Sequence, residues 1–340
     1  MSVAVPAPVD EPVLRVDDLH VTYASRRRGT RPVLAFDGVS FDLGAGEVLA
    51  LVGESGCGKT SIAHAVMRLV PTSGGSIELR GRDITHLSNR TLRPIRADIQ
   101  MVFQDPYESL DPRQTVFDLV AEPLAIHGRA TARDERRRTV LAALEDAGLR
   151  PAAEIARRYP HHLSGGQRQR VAIAAAMVLE PEVIVADEPA SMLDVSLRAG
   201  ILRLMLDLRD RRHVSCLFIT HDLSLAWVVA DRIAVVYLGR IVEIGPSADV
   251  IARPRHPYTK ALVSVIPVPE AGAAAGQIVL RGETPSARSV PAGCRFHPRC
   301  WRYEALGRPE ACTTRDPGLE TGVACHFPLD EHDPEGVAST

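Results

Sequence analysis

The sequence predicts an α/β fold built on a mainly parallel β-sheet with helices on both faces. Three observations support this prediction: short, very apolar runs recur along the chain, helical segments lie between them, and the runs end at glycine or polar residues. Strands that are covered on both faces are buried throughout, so they are expected as continuous apolar runs. A smaller segment of different composition follows at the C-terminal end.

Six runs are predicted as strands because they are apolar or alternating and rich in Val, Leu and Ile. They are residues 13–23, 33–43, 46–53, 182–187, 216–220 and 233–239. A helix is predicted from Lys59 to Leu69, stopped by Pro71. Residues 105–165 have a helical texture, and another helix carries apolar residues at spacings of four, three and four: Leu197, Ile201, Leu204 and Leu208.

Length and composition limit the possible classes of protein. At roughly 100–200 residues per domain, the 340 residues predict one large domain with an appendage. Apolar residues make up 45% and the net charge is −2, which favours a protein with a real core and no general affinity for nucleic acid. No apolar run is long enough to span a bilayer, and no secretory signal is recognised, so we expect a cytosolic chain with reduced cysteines.

Residues Gly53 to Thr60, GESGCGKT, match the Walker A pattern. Glycines let the backbone curl so that successive amide groups point at phosphate oxygens, and the following helix adds its positive end. Lys59 is expected to reach the β- and γ-phosphates and the Thr60 hydroxyl to bind Mg²⁺. Cys57, inside the loop, could be oxidised if its pKa is lowered at the helix N-terminus, although we expect it mainly to shape the backbone.

A second carboxylate for the metal is expected at Asp187, where the apolar run beginning at Val183 ends. Glu188 follows directly and can accept a proton from the attacking water. Alone, an acidic strand end would more often face solvent, but the Walker A loop makes this explanation weaker.

Leu163, Ser164, Gly165, Gly166 and Gln167 form the most specific element. Small residues and a hydroxyl stand just before an apolar helical segment, which predicts a second anion-binding helix start. Taken alone, Ser-Gly-Gly is more often a turn, but this segment lies 20 residues before Asp187.

With these motifs the sequence resembles the ATPase subunits of ABC transporters across residues 12–265. The resemblance implies a P-loop NTPase fold, with an antiparallel β part beside the mainly parallel sheet and a helical subdomain at about 105–165. It also implies that the LSGGQ segment completes the ATP site of a partner subunit in a head-to-tail dimer.

The resemblance assigns further residues one by one. Tyr23 matches the residue that stacks on adenine, although a buried strand tyrosine is the alternative; Gln104 matches the Q-loop, Asp194 the D-loop, and His221 the histidine that contacts the γ-phosphate. Ala190 and Met192 depart from the family pattern but remove no phosphate ligand. The implied catalytic residues are Glu188, His221 and Gln104, and the implied Mg²⁺ ligands are Thr60, Gln104 and Asp187. The implied ATP-binding residues are Tyr23, Gly53, Glu54, Ser55, Gly56, Cys57, Gly58, Lys59, Thr60, Ser61 and Asp187.

Three segments resemble the subgroup that energises oligopeptide and dipeptide import: residues 102–113, residues 255–262 and the C-terminal tail around GCRFHPRC. The same subgroup serves nickel and some oligosaccharide importers, so the substrate stays open. A Pro-, Gly- and Ala-rich linker at 267–277 predicts a separate C-terminal extension over residues 266–330. Residues 1–11 and 331–340 are expected to be flexible.

The extension carries Cys294, Cys300, Cys312 and Cys325, separated by five, eleven and twelve residues. Clustered reduced thiolates suggest a metal, but the close cysteine pair of a structural zinc site is missing. Ligation of a four-iron, four-sulfur cluster by the four cysteines is therefore the better prediction, and the resemblance agrees. Zinc and no metal at all are the alternatives, with His297 and His326 as other ligands.

The leading hypothesis is thus an ATP-hydrolysing importer subunit at the cytoplasmic face of the membrane. It implies a second ATPase subunit, expected to be a paralogue in a heterodimer, two transmembrane permeases and an external substrate-binding protein, with no nucleic acid. The alternatives are a soluble ABC ATPase acting on nucleic acid or ribosomes and an inactive nucleotide-binding protein. No sustained heptad or second Walker A supports the first, and the presence of Lys59, Asp187, Glu188 and His221 disfavours the second.

Overall fold

A computed structural model describes residues 11–23, 32–266, 277–319 and 321–330. The ends predicted to be flexible therefore lie outside the described residues, apart from Glu11, and so does the linker at 267–277, apart from Gln277. Within the described ranges, each helix is either too short or too polar to cross a membrane.

The described strands form two sheets, one mainly parallel and one antiparallel. In chain order the strands are β1 (Leu14–Tyr23), β2 (Val33–Leu43), β3 (Val48–Val52), β4 (Gly74–Leu79), β5 (Arg82–Asp83), β6 (Ile99–Val102), β7 (Val183–Asp187), β8 (Ser215–Thr220), β9 (Arg232–Tyr237) and β10 (Arg240–Pro246).

The larger sheet has the strand order β10-β9-β3-β8-β7-β6. Every neighbouring pair except β9 and β10 is parallel, which confirms the predicted mainly parallel sheet. In the register, Val52 lies opposite Thr220, and Asp187 lies opposite Ile219. The residues that follow β3, β7 and β8 therefore emerge at the same edge of the sheet, and this edge carries the candidate site.

The larger sheet is buried on both faces, as its continuous apolar strands predict. Along β3, Val48, Ala50 and Val52 pack into one hydrophobic cluster, together with the helices of residues 116–212. Leu49 and Leu51 point the other way, into a cluster with the smaller sheet and the helix that follows the glycine loop. A strand with two apolar faces separates two cores, so its ends are held rigidly.

The smaller sheet is antiparallel, with the order β2-β1-β4-β5. Its first two strands were predicted from their sequence, and their antiparallel pairing matches the β part implied by the family resemblance. Strands β4, β5, β6 and β10 were not predicted. The turn between β9 and β10 is formed by Leu238 and Gly239, both with positive φ, a geometry typical of a tight hairpin.

The helices cover both faces of the larger sheet and form the region between β6 and β7. They are α1 (Lys59–Val66), α2 (Asn89–Ile95), α3 (Pro106–Ser109), α4 (Val116–Ile126), α5 (Arg133–Asp146), α6 (Ala152–Ile155), α7 (Gly165–Met177), α8 (Val195–Arg212), α9 (Leu223–Val229), α10 (Ser247–Ala252), α11 (Pro257–Ser264), α12 (Trp301–Ala305) and α13 (Ala311–Thr314), with 3₁₀ turns at Pro160–His162 and His297–Arg299. Helix α1 ends at Val66, three residues earlier than predicted, and Arg68 already has a positive φ.

The C-terminal segment packs against the main body of the chain. Val323 forms a bridge with Glu243 in β10, and the Ala324 N–H donates to the Val242 carbonyl at 2.8 Å. On the other side, the Leu34 N–H at the start of β2 donates to the Ala287 carbonyl at 3.3 Å. The segment therefore reaches both the outer edge of the larger sheet and the strands next to the glycine loop.

Candidate functional site

The glycine loop joins the end of β3 to the start of α1, and its glycines are required by close packing. A Cβ atom on Gly53 would lie 2.2 Å from the Val236 carbonyl oxygen, and one on Gly58 would lie 2.5 Å from that of Ala35. Gly58 also has a φ of 107°, a conformation that side chains other than hydrogen disfavour. The loop is therefore folded tightly between β2 and the β9–β10 hairpin.

Lys59 is buried in this loop and folded back on it. Its Nζ donates to the carbonyl oxygens of Gly53 at 2.7 Å and Glu54 at 3.0 Å, and only 5% of the residue is exposed. An ammonium group makes stronger hydrogen bonds to phosphate than to neutral carbonyls, so an incoming phosphate can compete for it. Lys59 thus lies within the loop where the sequence predicts that it contacts phosphate.

Cys57 lies on the inner side of the loop, 3.6 Å from Lys59 Nζ. Burial raises the pKa of its thiol, against the lowering effect of the lysine charge. A buried, protonated thiol reacts slowly with oxidants. The raised pKa therefore argues against a reactive thiolate at Cys57.

Thr60 and Asp187 meet at the edge of the sheet. The Thr60 hydroxyl donates to Asp187 Oδ1 at 3.3 Å, across 127 residues of sequence. Only 3% of Asp187 is exposed, and burial raises the pKa of its carboxyl, with the Thr60 hydrogen bond lowering it and the charge of Glu188 raising it. A buried carboxylate beside a hydroxyl is a suitable oxygen donor set for Mg²⁺.

Glu188 has a strained backbone. Its φ is 44°, which is unusual for a residue other than glycine, and its N–H donates to the Ile219 carbonyl of β8. Strain of this kind persists only where the surrounding structure holds it. The Ser191 hydroxyl donates a hydrogen bond to the Glu188 carbonyl at 3.0 Å and so helps to hold this backbone conformation.

The Glu188 carboxylate joins two other predicted residues. Gln104 donates from Nε2 to one carboxylate oxygen at 3.3 Å, and His221 Nδ1 lies 3.1 Å from the other. These three residues come from the ends of β6, β7 and β8, far apart in sequence. The structure thus brings Gln104, Glu188 and His221 together beside Thr60 and Asp187.

Tyr23 lies at the end of β1, and its hydroxyl is 3.4 Å from the Ser61 hydroxyl in α1. The residue is 38% exposed, so it is not a tyrosine buried in the sheet. An exposed aromatic ring beside the helix that follows the phosphate loop can stack on a base.

The LSGGQ segment is a capped helix start in another part of the chain. Ser164 accepts a hydrogen bond from the Gln167 N–H at 3.3 Å, and the Gln167 side chain accepts one from the Ser164 N–H at 3.1 Å, a capping box at the start of α7. Gly165 and Gly166 pack beside Leu193 and Leu197. In the described part of the chain, none of the hydrogen bonds made by this segment reaches the loop at 53–60.

The segment between β7 and α8 carries the other predicted interface residues. Asp194 stands at the start of α8 with an exposed side chain that caps nothing, Met192 is 59% exposed, and Ala190 is buried. Neither Ala190 nor Met192 is therefore one of the side chains that meet at Glu188.

The four C-terminal cysteines are close to one another, but the predicted metal site is not supported. Burial, together with the charges of the three other cysteines, raises the pKa of the Cys294 thiol to about 12. All four thiols are free, and among the described residues no group of three or more His, Cys, Asp or Glu side chains is placed to hold a metal ion.

The contacts that hold Glu54 were not predicted from the sequence. Its N–H donates to the Tyr258 hydroxyl at 3.0 Å, and its carboxylate is bonded by Thr284 and Arg299. Tyr258 belongs to the predicted motif at 255–262, whereas no pattern marks Thr284 or Arg299. These contacts join residues more than 200 positions apart, so only the fold reveals them.

Comparison with known proteins identifies related families and chains. The ABC transporter family matches residues 36–191, and the oligopeptide/dipeptide transporter C-terminal region matches residues 242–305. The di/tripeptide transport ATP-binding protein DppF of Pseudomonas aeruginosa is 44% identical over 323 residues, covering 93% of this chain and 98% of that protein. The oligopeptide transport ATP-binding protein AppF of Bacillus subtilis is 42% identical over 324 residues, with coverage of 93% and 98%.

Solved structures similar to this chain are also ABC cassettes. The dimeric ATP-binding cassette MJ0796, bound to ADP and Pi in a post-hydrolysis state, is 29% identical with a TM-score of 0.62 and covers 69% of this chain and 98% of its own. The cbiO1 subunit of the cbiONQ ABC transporter complex of Clostridium perfringens is 28% identical with a TM-score of 0.63, covering 72% and 92%.

Proposed function

This chain belongs to the ABC transporter family of ATP-binding proteins, and we propose that it is the ATP-hydrolysing motor of a peptide importer. The observation that carries the proposal is the Gln104–Glu188–His221 group beside the Thr60–Asp187 pair, in a chain that also matches the peptide-transporter C-terminal region. The ATPase activity follows from the family, and peptide import follows from the relatives that match almost the whole chain.

ATP binds at the loop 53–60 in this proposal. The backbone amides of the loop and the N-terminus of α1 bind the phosphates, Lys59 turns from its carbonyl partners to the β- and γ-phosphates, and Tyr23 stacks on the base. Ser61 lies beside Tyr23 on α1 and lines the same site. Mg²⁺, when bound, neutralises phosphate charge, and Thr60 and Asp187 hold it, with Gln104 as a further ligand.

Glu188 is the general base. Its carboxylate accepts a proton from the attacking water, and the strained backbone and the partner Gln104 fix its direction. His221, on the other carboxylate oxygen, contacts the γ-phosphate. These three residues closely follow three strands of one sheet, and the sheet therefore sets their mutual geometry.

A second subunit completes the site. The residues Leu163 to Gln167 lie apart from the loop 53–60, and we propose that they close over the ATP of a partner cassette while the partner's signature closes over this one. Asp194 then lies in the interface. The exposed start of α7 is suited to this role, because a helix N-terminus attracts phosphate.

The remaining partners follow from the relatives. A paralogous ATPase subunit in a heterodimer, two permeases and an external substrate-binding protein complete the importer, with this chain at the cytoplasmic face of the membrane. The core domain is assigned to residues 12–265, with the helical subdomain at 105–165, and the extension to residues 266–330.

We also propose that the extension holds an iron–sulfur cluster, bound by its four cysteines. Iron, sulfide and zinc analysis of protein purified without oxygen tests it, and a protein without iron, with or without zinc, contradicts it.

Uptake of a labelled dipeptide by cells tests the function as a whole. Cells that lack this gene should lose uptake, the unmodified gene should restore it, and the Lys59→Ala gene should not. Unchanged uptake in the deletion strain, together with recovery of the chain on ribosomes or nucleic acid in the unmodified strain, would favour the soluble alternative.

A further inference from the structure

The carboxylate of Glu54, the second residue of the phosphate loop, is held by the C-terminal extension. Arg299 donates to both of its oxygens, from Nη1 to Oε2 at 2.9 Å and from Nη2 to Oε1 at 3.3 Å. The Thr284 hydroxyl donates to Oε2 as well, at 2.5 Å. A two-pronged contact between a guanidinium and a carboxylate fixes direction as well as distance.

The backbone of Glu54 is also fully engaged. Its N–H donates to the Tyr258 hydroxyl at 3.0 Å, and its carbonyl accepts from Lys59 Nζ at 3.0 Å and from the Cys57 N–H at 3.3 Å. The residue whose carboxylate Arg299 holds thus also supplies a carbonyl that holds Lys59. Glu54 thus links the C-terminal extension to Lys59, the residue proposed to bind phosphate.

Arg299 itself is fixed in place. Its side chain is only 9% exposed, and it ends the short 3₁₀ turn His297–Arg299 between Cys294 and Cys300. Its guanidinium carbon lies 6.0 Å from the centre of the Tyr237 ring, at the end of β9. The arginine thus belongs to the packed junction between the extension and the larger sheet, unlike a mobile surface side chain.

We propose that Arg299 is a positioning residue for ATP binding, acting through Glu54. A free carboxylate in the loop would repel the phosphates of ATP, because like charges a few ångströms apart interact strongly at a partly buried site. Arg299 neutralises this charge and holds the side chain toward the extension. The inference rests on the proposed binding of ATP at 53–60, and it makes the extension part of that site.

Four variants of the full chain test the proposal, with titration of a fluorescent ATP analogue as the measurement. Arg299→Gln is expected to weaken binding about tenfold, the loss typical of one charge-assisted hydrogen-bonded pair. Arg299→Lys keeps the charge and should recover part of the affinity. Adding Glu54→Gln to Arg299→Gln should restore much of it, because a neutral amide does not repel phosphate. Arg308→Gln, in the same extension but paired with Glu304 on the surface, should bind normally.

The same variants separate this role from a general effect on folding. Binding of AMP should change less than binding of ATP, since AMP has no β- or γ-phosphate to be repelled. Normal ATP binding by Arg299→Gln, or a loss that Glu54→Gln leaves unchanged, would overturn the proposal. If Arg299→Gln does not fold, Thr284→Val serves instead, with an expected loss of about threefold, and normal binding by that variant would overturn the proposal too. Failure of the unmodified chain to bind ATP would instead refute the proposed function.

Discussion

The Nδ1 atom of His221 lies 3.1 Å from a carboxylate oxygen of Glu188, although 33 residues separate them. The two residues follow neighbouring parallel strands, β8 and β7, and Glu188 has a left-handed backbone conformation. Gln104 occupies the other oxygen. Glu188 therefore lies at the centre of the candidate site, between Gln104 and His221.

Glu188→Gln should lower ATP turnover about 10²- to 10⁴-fold, the usual contribution of a general base. The amide keeps the size of the side chain but accepts no proton. ATP binding should persist, and ATP-bound dimers should accumulate. Phosphate release and size-exclusion chromatography with ATP measure the two effects. Glu180→Gln is the matched control, since that side chain is exposed and pairs with Arg212 on the surface; unchanged hydrolysis in Glu188→Gln would refute the base.

Lys59→Ala should weaken ATP binding roughly 10- to 100-fold, because it removes charge-assisted hydrogen bonds to phosphate. The sequence contains only one other lysine, Lys260, in α11. Lys260→Ala is therefore the control for the loss of a lysine. Isothermal titration with ATP and Mg²⁺ gives both affinities, and similar values for the two variants would contradict the assignment of Lys59.

Ser164→Ala should reduce turnover without changing the affinity of the isolated chain for ATP, because the signature is proposed to serve the ATP of the partner. It should also cost about 1 kcal/mol of stability, since the helix loses its N-cap. Ser88→Ala removes the N-cap of α2 and controls for that cost. A loss of turnover in Ser88→Ala as large as in Ser164→Ala would show that stability alone explains the effect.

Asp37→Asn should destabilise the fold at neutral pH by about 1–3 kcal/mol, because it leaves the nearly buried Arg295 without its carboxylate partner. Partial burial raises the pKa of Asp37, but hydrogen bonds from Arg240 and His20 and the charge of Arg295 bring it below 3.8. A lowered carboxyl pKa stabilises the folded state above the unfolded pKa, and this contribution is lost as the pH falls through the folded value.

The difference in unfolding free energy between Asp37→Asn and the unmodified chain should therefore be constant from pH 7 to near 4 and shrink below that. Urea denaturation at each pH measures it. Asp249→Asn, at an exposed pair with Arg253, should differ little from the unmodified chain at any pH. A difference for Asp37→Asn that persists in acid would mean that the ion pairs are not its cause.

The prediction of the larger sheet succeeded because burial on both faces leaves a plain signal in the sequence. The run at 183–187 is apolar throughout, and all of its residues are buried in β7. Strand β10 escaped prediction because it forms the edge of the sheet and its sequence, RIVEIGP, mixes polar and apolar residues. Strands β4 and β5 are short and depend on pairing with β1 and with each other, so their own sequence says little.

By itself, the sequence determined the phosphate loop, the acidic strand end and the signature, because each is a local pattern whose chemistry depends on neighbouring residues. Only the tertiary structure decided which strand ends meet, how Glu188 is turned toward Gln104 and His221, and that the extension reaches Glu54. The tertiary structure also does not support the metal site predicted at the four C-terminal cysteines, because their spacing in the sequence does not determine where their sulfur atoms point. Contacts between distant residues follow from packing of the whole chain, and no local pattern encodes them.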